Sequence, residues 1–397
     1  MKRIFCCLLL LVLTVPLLAS CTMGLRQINE LAMVAAVGLD IGDKPGTIQL
    51  SAQIIRPADA RGQTGAPSGG TGEPIYSIST EGTSIFDAIR NMGQLSSRRV
   101  YWAHNFLIVM SEQYARKGID DMIDFFTRNH ELRMNTWVAV SSDKPAEVIS
   151  TVTGLEVVPG EAVDRLFRDH RIPARAPGTN MRSLEESYLS RSTEPVIARV
   201  SLEARGISNK KPGEHGSIKQ VELRGAAAFR DNKMVGWLTT NDARGVLFFL
   251  EKLNKGLEVI SCPDSDTNTI TLEFNETKLK VTPSYVQGRP RFDVRLTSSA
   301  DIVENGCSES TEQLRKAASE GLDQELTTLL KDVIDKAQHK YRSDFLKLGD
   351  LFRNKYPVEW KKLGRDWNDA FAEAEITVEV EATVKSGVVK ATGKGIK

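Results

Sequence analysis

The sequence predicts a multi-domain α+β protein in which mixed β-sheets are packed by helices. Strand-like and helix-like segments alternate between residues 32 and 151. Between residues 270 and 296, apolar and polar residues alternate as they do in strands with one buried face. A long apolar stripe at helical spacing follows, and the period returns to two at 376–384. The last domain is therefore predicted to be a sheet packed by one long amphipathic helix.

The composition is that of a globular protein that carries almost no net charge. Of the 397 residues, 41% are hydrophobic and 26% are charged, which favours about two or three domains with sizeable cores. Removing Lys2 and Arg3 leaves 50 Lys and Arg against 51 Asp and Glu. This balance gives no indication of a nucleic-acid partner or of an anionic lipid surface.

The first 20 residues have the pattern of a lipoprotein signal peptide. Lys2 and Arg3 precede an uncharged apolar run at 4–13, which is too short to span a bilayer stably. The tetrapeptide Leu18-Ala19-Ser20-Cys21 then places a thiol directly after two small residues. We expect cleavage before Cys21 and a diacylglycerol thioether on its sulfur. The alternatives are an ordinary signal peptide with a chance cysteine, or an uncleaved anchor helix.

Lipidation would retain the chain on a membrane without a spanning helix. Each buried lipid CH₂ contributes about 0.8 kcal/mol, so two or three acyl chains give a long-lived anchor. No other stretch of the sequence reaches the roughly 18 apolar residues of a spanning helix. The sequence therefore predicts that everything after Cys21 lies outside the cytoplasm, on the outer face of a membrane.

Five cysteines occur, and three of them belong to the N-terminal region. Cys6 and Cys7 lie in the signal peptide and Cys21 is the predicted lipid carrier. Cys262 and Cys307 remain, and in an exported chain they form either a disulfide or two buried free thiols. The residues alone leave both possibilities open.

The predicted N-terminal α+β region spans residues 21–205. Strands at 32–37 and 47–55 flank turn residues at 42–46 and predict a hairpin. Residues 56–74, rich in Gly, Pro, Ser and Thr, are predicted to form a mobile surface loop. That loop lacks the G-x-x-x-x-G-K-[ST] pattern of a phosphate-binding loop.

The rest of this region alternates in type and ends in a connector. Strands are predicted at 76–79, 106–110, 136–140 and 194–204, and helices at 112–128, at 145–151 and starting at Ser84. Residues 155–192 contain three prolines and many charges, which predicts a connector of helices and loops. A domain boundary is placed in the polar stretch 206–216.

The predicted C-terminal α+β domain spans residues 217–397. It is predicted to begin with a strand–turn–strand unit at 223–238 and a helix at 240–254. Strands are predicted at 270–274, 278–282 and 292–296. A helix that starts with a capping box at Ser310 and Gln313 and ends at Tyr341 then precedes a strand at 376–384. Trp360, Trp367 and Phe371 recur at roughly helical spacing and are interpreted as the packed face of a C-terminal helix.

A search for catalytic or metal-binding patterns finds none. None of the five histidines lies at zinc-ligand spacing, and the H-E-x-x-H, G-x-S-x-G and Rossmann patterns are missing. Carboxylates are scattered over predicted helix surfaces. The sequence therefore predicts no enzyme activity, no metal and no cofactor.

One cluster combines cationic and aromatic residues, namely Arg98, Arg99, Tyr101 and Trp102. Such residues dominate the energetics of protein interfaces, so the cluster is a candidate partner contact. The alternative, which we favour, is the beginning of a strand with packed aromatic side chains.

The order of several sequence blocks resembles the Ger(x)C family, the lipoprotein C subunit of bacterial spore nutrient germinant receptors. The blocks, in chain order, are 26–34, 38–40, 82–84, 97–104, 128–133, 225–229, 234–238, 243–248, Tyr341-Arg342-Ser343-Asp344-Phe345 with Gly349, 357–361 and Asp366-Trp367. No block is decisive alone, but together they run nearly from end to end. The family's usual Trp-Asp after the lipidated cysteine is replaced here by residues 22–25, a difference that concerns the tether alone.

The resemblance implies a non-enzymatic α+β protein on the outer face of the spore inner membrane, working with membrane-embedded A and B subunits. Because the family's nutrient pocket is attributed mainly to the B subunit, no germinant-binding residues are assigned to this chain. Two other functions compete with this one. They are a stand-alone solute-binding lipoprotein, which needs one deep pocket, and a cell-wall hydrolase, for which no suitable residues are found.

Overall fold

The fold is described from a computed structural model of the chain. The structure describes residues 30–55, 75–129, 131–151, 156, 158–207, 217–262, 265–307 and 311–385. The predicted signal peptide, Cys21 and the Gly-rich loop 56–74 lie outside these ranges, so the predictions about them are not tested by the fold.

The first sheet has nine strands, with the order β3-β2-β1-β5-β6-β7-β8-β9 and a short β4 paired to β1. The strands are β1 Leu31–Ile41, β2 Ile48–Ile55, β3 Ile75–Gly82, β4 Arg99–Tyr101, β5 Leu107–Ser111, β6 Trp137–Ser141, β7 Val196–Ile207, β8 Ser217–Arg230 and β9 Lys233–Leu238. The predicted hairpin is confirmed, because β1 and β2 pair antiparallel. β1, β5, β6 and β7 are parallel to one another, and antiparallel strands flank them on both sides.

Helices cover this sheet. They are α1 Ile85–Met92, α2 Glu112–Lys117, α3 Asp120–Arg128, α4 Pro145–Ser150, α5 Pro159–Arg168 and α6 Met181–Leu189. All five residues of β5 are buried, as expected for a central parallel strand covered on both faces. The predicted start of α1 is confirmed, because the Ser84 hydroxyl accepts a hydrogen bond from the Asp87 amide.

The single helix predicted at 112–128 is wrong, because α2 and α3 are separate helices. Gly118 lies between them with φ 138°, a backbone conformation that L side chains rarely adopt. The apolar residues at helical spacing in this segment face the core, since Ile119, which precedes α3, and Met122, Ile123 and Phe126 within it are all buried.

The second sheet has four strands in the order β10-β11-β12-β13. They are β10 Leu257–Cys262, β11 Ser265–Val286, β12 Arg289–Asn305 and β13 Glu375–Lys385. The separate strands predicted at 270–274 and 278–282 are wrong, because both lie within the 22-residue β11. The pairing register shifts between Phe274 and Glu276, so β11 stays paired with β12 although the alternation of apolar residues is interrupted there.

One long helix packs this sheet, as predicted. α7 Thr240–Leu250 precedes the sheet, and α8 Thr311–Asp335 continues into a π-helical turn at Lys336–Lys340. The predicted stripe is confirmed, with its residues buried from Leu314 to Ala337. The proposed capping residue Ser310 lies outside the described ranges.

The C-terminal segment contains three short helices, α9 Leu348–Lys355, α10 Pro357–Leu363 and α11 Trp367–Ala372. Trp367 and Phe371 are buried, which confirms their predicted packing role. The expectation of one C-terminal helix carrying all three aromatic residues is wrong. Trp360 belongs to α10 and contacts Trp367 of α11, with ring centroids 5.0 Å apart.

The predicted boundary at 206–216 lies between two strands of one sheet. β7 ends at Ile207 and so includes the first two residues of the stretch, β8 begins directly after it at Ser217, and the two strands pair antiparallel. The division into regions 21–205 and 217–397 therefore stays a prediction about domains, although the first sheet takes strands from both sides.

Candidate functional site

The first strand begins close to the predicted lipid attachment site. Leu31, the first residue of β1, comes ten positions after Cys21. At its beginning β1 pairs in parallel with β4, so that Leu31 lies opposite Arg99 and Met33 opposite Tyr101. The predicted contact cluster is therefore located where the chain enters the fold, which we call the tether end.

The structure distributes the four residues of the predicted cluster between surface and core. Arg98 and Arg99 are exposed, and an Arg99 Nη atom lies 2.6 Å from a Glu131 carboxylate oxygen. Tyr101 is half-buried. Trp102 is only 4% exposed and packs in the main core, as expected for a strand entry with packed aromatic side chains. A partner-contact role for the cluster stays a prediction.

An apolar groove of about 690 Å³ opens beside the cluster. Phe86 and Phe125 line it together with Val100 and Trp102. Phe86 is 53% exposed, and its ring centroid lies 6.4 Å from that of Phe125. The Arg90 guanidinium lies 5.0 Å from the Phe86 ring centroid. The groove thus presents an aromatic surface to solvent at the tether end.

A polar cleft of about 790 Å³ lies between the first sheet and the C-terminal helices. Glu194 lies in its wall, where its carboxylate accepts hydrogen bonds from Asn368 Nδ2 at 2.5 Å and from the Asp231 amide at 2.7 Å. Burial raises the pKa of Glu194 to about 7 despite these two donors. Glu194 therefore connects β7, the β8–β9 turn and α11 through a carboxylate that titrates near neutrality.

Behind this cleft, the carboxylate of Asp344 is completely buried. It accepts hydrogen bonds from the amides of Leu348 and Gly349, at 3.1 and 2.6 Å, and from Trp367 Nε1 at 2.8 Å. Burial raises the pKa of Asp344 to about 6. A Cβ atom on Gly349 would lie 2.2 Å from the Ser192 carbonyl oxygen, so only glycine fits there.

The neighbouring residues of the same block bind the first sheet. Ser343 Oγ donates to the Phe229 carbonyl at 2.5 Å, and the Tyr341 hydroxyl donates to the Trp237 carbonyl at 2.7 Å. A Cβ atom on Gly236 would lie 2.4 Å from the Tyr341 ring. The block at 341–349 therefore fixes the C-terminal helices against β8 and β9, a role that its sequence pattern alone did not reveal.

Two ion pairs, one of them partly exposed at Lys336, extend this junction to α7. Lys336 Nζ lies 2.6 Å from Asp242 Oδ1, and the Asp242 side chain is 4% exposed. Arg244 pairs with Glu258 at the start of β10, and both side chains are nearly buried. Such pairs favour one arrangement of the packed elements, because losing one partner leaves a buried charge.

The two remaining cysteines are bonded to each other in the structure. Their Cα atoms lie 5.7 Å apart, at the end of β10 and just after β12, and the two residues are separated by 45 positions in sequence. Both side chains are buried. Of the two possibilities left open by the sequence, this geometry favours the disulfide, and its formation in the exported chain stays a prediction.

Within the described residues, no group of three or more His, Cys, Asp or Glu side chains is arranged to hold a metal ion. No helix in the same part of the chain is both long and apolar enough to cross a bilayer.

Comparisons with known proteins cover nearly the whole chain. Residues 24–202 match the profile described as the spore germination protein N-terminal domain, and residues 224–387 match the spore germination B3/GerAC-like C-terminal domain. Spore germination protein KC of Bacillus subtilis is 26% identical over 94% of this chain and 93% of its own length. Spore germination protein A3 of the same organism is 22% identical over 93% of this chain and 94% of its own length.

A solved structure has the same fold. The crystal structure of the GerBC protein matches with a TM-score of 0.56 and 19% identity, covering 91% of this chain and 99% of that chain. The multi-domain α+β fold predicted from the sequence is thereby confirmed.

Proposed function

Because this chain belongs to the GerAC family of spore germination proteins, we propose that it is the lipid-anchored, non-catalytic subunit of a spore nutrient germinant receptor. It acts with membrane-embedded A and B subunits to trigger germination on the outer face of the spore inner membrane. The observation that carries the proposal is the match to germination proteins over nearly the full length of both chains.

The N-terminal pattern supports the anchor. Ten extended residues span at most about 35 Å, so lipidation at Cys21 holds the tether end within that distance of the membrane surface. Confinement near the membrane raises the effective concentration of the chain around its partners without any new contact. The proposed role of the chain is not catalytic. The chain acts through conformational coupling to the partner subunits.

A Cys21→Ala variant tests the proposal, with Cys7→Ala as the matched control inside the predicted signal peptide. We expect the Cys21→Ala chain to leave the membrane fraction of spores and the germination response to nutrient to fall. The Cys7→Ala chain should behave like the unmodified protein. Full membrane retention and normal germination of the Cys21→Ala strain would contradict the proposal.

A stand-alone solute-binding lipoprotein is the second candidate, and the polar cleft is the observation in its favour. The cleft volume falls within the roughly 300–1,000 Å³ typical of ligand pockets. Its walls are formed mainly by charged and amide side chains, however, whereas ligand pockets are lined mainly by apolar ones. Calorimetry of the chain with amino acids, nucleosides and sugars separates the two, since tight binding without partners would favour this candidate.

A further inference from the structure

The groove at the tether end and the cleft at the C-terminal helices belong to one continuous depression. A third cavity of about 760 Å³ lies between them. It shares Asp124 and Arg128 with the groove, and Asp120, Tyr188 and Leu189 with the cleft. The three cavities therefore follow α3 along its length, about 14 Å for a helix of nine residues. We call this depression the α3 furrow.

The middle of the α3 furrow is acidic. Asp120, Asp121, Asp124 and Glu185 line it, and Arg128 is the one cation among the described residues that line it. Arg128 is already paired with Asp124. The surface between the two ends therefore offers excess negative charge to whatever occupies it.

Apolar side chains lie exposed on either side of this acidic stretch. Phe86 is 53% exposed at the groove end, and Leu189 at the end of α6 is 69% exposed. Hydrogen bonds to Asp120 from the Tyr188 hydroxyl, at 2.5 Å, and from the Asn232 amide hold the walls together. The furrow is a formed surface with apolar contacts flanking a negative one.

We propose that the α3 furrow binds a basic, amphipathic segment of a membrane-embedded partner subunit, an inference that rests on the proposed function. Apolar side chains of that segment pack on Phe86 and Leu189, and its Lys or Arg side chains face the acidic middle. The location agrees, because the furrow starts at the tether end, ten residues from Cys21. Partner loops close to the bilayer are therefore within reach.

Two other occupants fit the surface less well. Anionic lipid headgroups would meet four carboxylates in the middle of the furrow, and like charges repel. The chain's own residues 22–29 contain a single cation, Arg26, to set against those carboxylates. Charge complementarity thus favours a segment with several cations.

A photo-crosslinking residue at position 189 tests the occupant in the full-length chain, produced in spores together with its A and B subunits. We expect cross-links to a Lys- or Arg-bearing segment of one of those subunits. The same residue at Ile172, which is 52% exposed and lies outside the furrow, should give none. Cross-links from position 189 to residues 22–29, to a second copy of the chain or to lipid would overturn the inference.

A variant with altered charge and apolar contact in the furrow measures how strongly the furrow contributes to subunit binding. Glu185→Lys combined with Leu189→Ser should lower the recovery of the A and B subunits with the chain by about tenfold or more. Glu186→Lys, the next residue along α6 and exposed, is the matched control and should leave recovery unchanged.

The outcomes of these experiments separate the furrow inference from the proposed function. An unmodified chain that recovers neither subunit would contradict the proposed function itself. Normal recovery by the unmodified chain and by the furrow variant alike would overturn the furrow inference and leave the proposed function intact. Should the double variant fail to fold, the cross-link at the exposed position 189 still decides.

Discussion

Replacing Asp344 with alanine should destabilise the chain strongly, because this carboxylate satisfies three donors in the interior. The Leu348 and Gly349 amides and the Trp367 indole all donate to it, at 3.1, 2.6 and 2.8 Å. Asp344 itself is completely buried, so water has no direct access to replace it. Alanine would leave all three donors without an acceptor.

The magnitude follows from the cost of such groups. An unsatisfied buried donor costs about 1–3 kcal/mol, so three of them cost about 3–9 kcal/mol in total. Part of this is offset, because the folded state no longer has to bury a carboxyl group. We therefore expect the free energy of unfolding of Asp344→Ala to fall by about 3–5 kcal/mol, which is at the large end for a single substitution.

Urea unfolding of residues 22–397, followed by tryptophan fluorescence, measures this change. Asp344→Asn should lose less, since its amide oxygen still accepts while its NH₂ group faces a donor. Asp332→Ala, on the exposed side of α8, is the matched control and should stay within about 0.5 kcal/mol of the unmodified chain. Equal unfolding midpoints for Asp344→Ala and the control would show that the three donors do not depend on the Asp344 carboxylate.

The remaining predictions concern the disulfide and the pH dependence of stability. Replacing Cys262 and Cys307 with serine should lower the free energy of unfolding by about 3–4 kcal/mol. Two free thiols in the exported chain, counted by alkylation and mass spectrometry, would contradict the disulfide. Burial raises the pKa of Asp344 to about 6 and that of Glu194 to about 7, so the folded chain keeps protons that the unfolded chain has released. The free energy of unfolding should therefore decrease as the pH rises from about 4 to about 7. Glu194→Gln should flatten the upper part of this decrease in urea titrations, and an unchanged slope would show that Glu194 does not carry it.

Local periodicity explains which parts of the fold could be predicted. The β1–β2 hairpin and the stripe of α8 follow from residues that are close in sequence and share one period. The sequence does not predict the split between α2 and α3, because one glycine inside an apolar helical pattern is compatible with an unbroken helix. β11 was divided in two because a register shift hides the continuity of its pattern.

The site depended on contacts that no local pattern contains. Glu194 and Asn368 are 174 residues apart in sequence, and Asp344, in the loop before α9, contacts Trp367 of α11. The sequence blocks that carry the family resemblance contain Asp344, Gly349 and Trp367, but they do not reveal that these residues share one buried network. The α3 furrow likewise exists only because α6, the β8–β9 turn and the C-terminal helices meet along α3.

Mass spectrometry of the mature N-terminus, on protein extracted from spore membranes, tests directly whether the chain is anchored by lipid at Cys21. We expect the chain to start at Cys21 and the terminal peptide to carry the mass of a diacylglyceryl group with its acyl chains. A terminal peptide without lipid, or one that still contains residues 1–20, would contradict lipid anchoring at Cys21.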